Sequence, residues 1–108
     1  MGDEDLSGVI VEGFLEDVPR QIRLLEQYLE NRTARDCERQ AHTIKGASAN
    51  VGGECLREVA FEMEKSARAG DLAAVGAGLI RLKEQFELLR EAMRDAPDGR
   101  DATHGRER

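Results

Sequence analysis

Apolar residues recur along this chain at alternating steps of three and four, the spacing that lays them in one stripe along an α-helix. The first such stretch spans about Ser7 to Glu30. There Val11, Phe14, Leu15, Val18, Ile22, Leu25 and Leu29 share a face, and Ser7 is placed to cap the N-terminus. Pro19 lies inside it. Proline removes a backbone donor and crowds the preceding turn, so the pattern predicts either a kink or a separate short leading helix over Leu6 to Asp17. The second stretch, about Thr33 to Val51, turns Ala34, Cys37, Ala41, Ile44, Ser48 and Val51 inward. Thr33-Ala34-Arg35-Asp36 has the form of a capping box with Asp in place of Glu, and Gly52-Gly53 ends the helix.

The third stretch, about Glu54 to Ala69, places Leu56, Val59, Ala60, Met63 and Ala67 inward. Gly70 follows as a stop and Asp71 as the next N-cap. The fourth, about Leu72 to Asp95, carries a seam of Leu72, Val75, Leu79, Leu82, Phe86, Leu89 and Met93. Short connections between helices with single apolar stripes make neighbours antiparallel. The predicted fold is therefore all-α, an up-down-up-down four-helix bundle over residues 7–95. Residues 1–6 read as an N-terminal extension. Residues 96–108 read as a disordered polar tail with nothing to bury.

Composition narrows the partners. The 108 residues suit one domain, and 40% hydrophobics with only 4% aromatics give an aliphatic core. A formal net charge of −6 argues against nonspecific nucleic-acid binding, which rests on positive charge meeting phosphates. It also requires any face that docks an acidic partner to be locally neutral or basic. No apolar run approaches the roughly 20 residues of a membrane helix. The start, Met1-Gly2-Asp3-Glu4-Asp5, has no signal-peptide core. The expectation is a cytoplasmic monomer, away from membranes, with Cys37 and Cys55 as free thiols.

The chemistry concentrates on the second helix, at His42. With about 100° per residue, the core face of that helix is centred roughly 130° from His42, which leaves the imidazole outside the seam. Arg35, Glu38, Arg39, Lys45, Gly46 and Ala49 lie on its side. Neutral imidazole is a good nucleophile near neutral pH, its unperturbed pKa being about 6.5. Phosphoryl transfer asks the protein mainly for positioning and charge neutralisation. Lys45, one turn on, can meet phosphoryl oxygens. Gly46 leaves a gap through which another protein's surface can approach, although a glycine inside a helix costs up to about 1 kcal/mol relative to alanine.

The run Ala41-His42-Thr43-Ile44-Lys45-Gly46-Ala47-Ser48-Ala49-Asn50-Val51-Gly52 resembles the signature of histidine-containing phosphotransfer (HPt) domains, four-helix-bundle carriers of multistep phosphorelays. The resemblance implies that His42 accepts a phosphoryl group from the aspartyl phosphate of a response-regulator receiver domain and passes it to another receiver aspartate. It implies a hybrid sensor histidine kinase upstream, no ATP site or cofactor on this chain, and Mg²⁺ supplied by the receiver. It places Lys45 and Gly46 at the site with His42. It puts Glu64 and, one turn on, Arg68 on the following helix beside His42, Glu64 orienting the imidazole and Arg68 adding positive charge. Ala49, Gly53 and Phe61 are the candidate docking residues for the partner.

Plainer readings stand beside these. Lys45 can be an ordinary surface lysine paired with Glu38 or Asn50, and Gly46 can permit close helix packing. Gly52 and Gly53 can be only a helix stop. Glu64 and Arg68 can be a surface i,i+4 pair. Phe61, off the inward stripe, is either covered by the N-terminal segment or part of an apolar docking patch. His104 lies in the polar tail. A metal site of His42, Cys37 and Cys55 fails on geometry, since Cys37 and His42 occupy different faces. Two other functions compete. One is the phospho-acceptor module of a chemotaxis-type histidine kinase, disfavoured by the short polar tail where a kinase domain would follow. The other is a helical interaction module without phosphotransfer.

Overall fold

Four α-helices form where the four stripes predict them: α1 (Gly2–Glu30), α2 (Ala34–Asn50), α3 (Glu54–Arg68) and α4 (Leu72–Asp95). The computed structural model describes residues 2–95, with side chains from 10 to 94. The expected disordered tail, with His104, lies outside the described residues. The helices pack as a four-helix bundle in which α2 and α3 share the most extensive contact, α3 meets α4, α1 meets α2, and a lighter α1–α4 contact closes the ring. Among the described residues there is no strand, and no helix is long and apolar enough to cross a membrane.

The ends of the helices follow from their turn residues. Gly52 and Gly70 adopt φ of 75° and 78°, the left-handed conformation that closes α2 and α3 and that glycine reaches without a Cβ clash. Asp71 then caps α4, its Oδ1 accepting the Ala74 N–H at 3.1 Å. The α1–α2 turn is made differently. Arg32 takes φ of 60°, and the Thr33 N–H returns to the Tyr28 carbonyl at 3.0 Å. The Thr33 hydroxyl donates to that same carbonyl at 3.1 Å and makes no cap bond to α2. The expected capping box is therefore absent: Thr33 closes the helix behind it rather than opening the one ahead.

Helix α1 begins at Gly2, so Ser7 lies inside the helix and is not its cap. There is no separate leading helix either, because α1 runs unbroken through Pro19. Proline deletes one backbone bond, to the Leu15 carbonyl. Val18 and Ile22, 0% and 6% exposed, anchor the chain to the core on both sides of the gap.

The core is aliphatic, as the composition requires. Leu25, Ile44, Leu56, Met63, Leu82, Val18 and Val75 are its largest fully buried side chains, and Phe14 and Phe86 pair with ring centroids 5.9 Å apart. Cys37 lies wholly inside, while Cys55 is exposed. Among the described residues the one fully buried hydroxyl, Ser48, is satisfied by donating to the Ile44 carbonyl at 2.8 Å. Glycines set two close approaches. A Cβ on Gly78 would lie 2.5 Å from Met63 Cγ, and one on Gly53 would lie 2.8 Å from Leu89 Cδ2. The first lets α4 lie tight on α3, beside the face that carries the site.

Candidate functional site

His42 stands on α2 where the helix turns toward α3, its side chain 65% exposed. The α3 residue opposite it is Glu64, whose side chain is only 6% exposed. His42 Nδ1 and Glu64 Oε2 are 2.9 Å apart. An ionised carboxylate can only accept, so Nδ1 carries the proton and donates it. Nε2 is left with its lone pair and has no hydrogen-bond partner among the described residues. One buried carboxylate thus sets both the orientation and the tautomer of an exposed ring.

Glu64 is shared further. Lys45 Nζ lies 2.9 Å from its Oε1, and Arg68 Nη2 donates to its Oε2 at 3.3 Å. Arg68 Nε also donates to Glu38 Oε2 at 2.8 Å. Burial by itself pushes the Glu64 carboxyl up, but the bonds from Lys45 and His42 and their charge outweigh it and hold the group below its ordinary value. A buried carboxylate without such partners would be strongly destabilising.

This lowered value fixes a pH dependence. Glu64 favours the folded state above the ordinary carboxylate range, and that contribution fades as pH falls through the folded value. Denaturant unfolding of the native protein, followed from neutral pH into acid, is expected to show a stability loss that Glu64→Gln lacks in part. The two curves converge in acid. Parallel curves would mean that Glu64 is not linked to folding in this way.

The geometry brings together His42, Lys45, Glu64 and Arg68. Lys45 pairs with Glu64, not with Glu38 or Asn50, and Glu64 is a buried hub rather than one end of a surface ion pair. Gly46 is exposed, and a Cβ placed on it would meet nothing within 4 Å. Close helix packing therefore does not explain this glycine. Ala49 is exposed on the same strip. Gly53 is not available for docking, because it is buried against Leu89 at the start of α3, where even a Cβ would collide. Phe61 is 39% exposed, with the ammonium groups of Lys45 and Lys65 against its ring. Lys65 and the Glu38–Arg68 bond escaped the sequence reading. The Phe61–Lys65 spacing of four residues was the available signal for the first; the second joins two helices and had none.

One family model, described as Hpt domain, matches residues 9–92, which include α2 and α3 whole, most of α1 and α4, and the whole His42 cluster. No curated protein and no solved structure matches the chain.

Proposed function

Since the chain belongs to the Hpt domain family, whose members are histidine phosphotransfer modules of phosphorelays and carriers rather than kinases, we propose that His42 is its phospho-acceptor. The donor is the aspartyl phosphate of a receiver domain, and the recipient is a receiver aspartate on another protein. A hybrid sensor histidine kinase stands upstream, and Mg²⁺ belongs to the receiver.

The observation that carries this reading is the bond from His42 Nδ1–H to buried Glu64. It leaves the Nε2 lone pair outward as the nucleophile. In the transfer the Nε2–phosphorus bond forms while the phosphorus–oxygen bond to the aspartate breaks, and the aspartate keeps the electron pair. The imidazole becomes cationic as it attacks, and Glu64 stabilises that charge through the Nδ1 proton. Lys45 and Arg68 bring positive charge to the site against the phosphoryl oxygens. Gly46 and Ala49 form the bare strip over which the receiver approaches. The reverse transfer uses the same groups.

The test is to incubate the chain with phosphorylated receiver domains and Mg²⁺, and separately with an ATP-loaded histidine-kinase catalytic domain. Acid-labile, alkali-stable label from a receiver supports the carrier. Label from the kinase domain alone would favour a chemotaxis-type acceptor module, and label from neither would leave an interaction module.

A further inference from the structure

Two ammonium groups lie against the ring of Phe61: Lys45 Nζ at 4.9 Å from its centroid and Lys65 Nζ at 4.5 Å. Both fall within the distance at which an aromatic face attracts a cation. Their other contacts differ. Lys65 is half exposed and, among the described residues, pairs otherwise with Glu62, on its own helix, at 3.5 Å. Lys45 is 24% exposed, and its other contact is Glu64 Oε1, on the carboxylate that orients His42. Phe61 itself is an exposed apolar side chain, 39% accessible. Among the described residues, the cations against its ring are these two lysines.

We infer that Phe61 is a positioning residue for phosphoryl transfer at His42: its ring holds the Lys45 ammonium beside the imidazole before the phosphoryl group arrives. This rests on the reading of His42 as the acceptor. A free lysine has four torsions to freeze before its charge can be used. A charge already in place needs no reorganisation as the transition state forms. Glu64 alone would be a poor holder, since its carboxylate competes with the phosphoryl oxygens for the same cation. The ring is neutral and takes none of the three ammonium donors. Lys45 can therefore exchange Glu64 for a phosphoryl oxygen and stay over Phe61 throughout.

Phe61→Leu keeps apolar bulk and removes the aromatic face, whereas Phe61→Tyr keeps the face. With a phosphorylated receiver as donor, Phe61→Leu is expected to lower the maximal transfer rate about two- to five-fold at unchanged half-saturating receiver concentration. Phe61→Tyr is expected to transfer normally. A raised half-saturating concentration at full maximal rate would overturn the inference and make Phe61 a docking residue; native kinetics in Phe61→Leu would overturn it too. The ring-current shift of the Lys45 ε-methylene protons reports the contact without any transfer. It is expected upfield in the native protein and lost in Phe61→Leu. An unshifted ε-methylene would overturn the positioning role even in a protein that accepts phosphoryl groups normally. A native chain that takes no label from any receiver would sink the acceptor reading, and with it the role assigned to Phe61.

Discussion

His42→Gln is expected to take up phosphoryl label at less than about a thousandth of the native rate, because the nucleophile is gone and no neighbour replaces it. The nearest candidates fail for physical reasons. Lys45 is a cation held by Glu64 and Phe61, and a protonated amine has no lone pair to offer. Thr43 donates its hydroxyl to the Arg39 carbonyl. The substitution is also structurally mild. His42 is exposed, and surface changes of this kind shift stability by about 0.5 kcal/mol or less. Glu64 loses one donor and keeps Lys45 and Arg68. Circular dichroism and thermal unfolding close to native, combined with absent label, would assign the loss to chemistry. Label that survives in a folded His42→Gln protein would place the acceptor elsewhere and undo the proposed function.

Ile44→Ala should separate stability from transfer. Ile44 is 0% exposed on the inward side of α2, two residues from His42 and on the helix that packs most extensively with α3. Truncation removes buried methyl groups and leaves a cavity that close-packed neighbours fill only in part, for a cost of about 2–5 kcal/mol. In a domain of this size that corresponds to a melting-point drop on the order of 10–20 °C. None of the polar groups around His42 is altered. Well below its lowered midpoint the variant should therefore still accept a phosphoryl group. A melting point within a few degrees of native would show that the α2–α3 interface can collapse around the loss. Loss of label in the folded variant would show that the core sets the His42 geometry more tightly than the Glu64 bond does.

Much of this was legible in the chain because local rules and the fold agree. The stripes of α3 and α4 place those helices almost to the residue, and Gly52, Gly70 and Asp71 act as their turn chemistry predicts. His42 falls outside the seam by angle alone. What was not legible depends on two helices at once. Glu64 lies at the edge of the α3 stripe, and only the approach of His42 and Lys45 from α2 makes its burial tolerable. The Phe61–Lys45 contact has the same origin. Gly53, a candidate for docking as well as a helix stop, is buried because α4 brings Leu89 against it. Arg32 carries a left-handed backbone with no glycine to announce it, and Thr33 spends its hydroxyl on the preceding helix.

A Cβ on Gly46 would meet nothing within 4 Å among the described residues, and this makes it a natural place to rewire signalling. A larger side chain there meets no internal obstacle and gains up to about 1 kcal/mol of helix propensity with alanine. Its whole effect falls on whatever protein comes to His42. A bulky residue at this position, matched by a cavity cut into one chosen receiver, would build an insulated pair: wild-type receivers excluded by the bump, the redesigned one admitted. The fold would carry such a change unaltered, so traffic could be redirected between pathways without retuning the bundle.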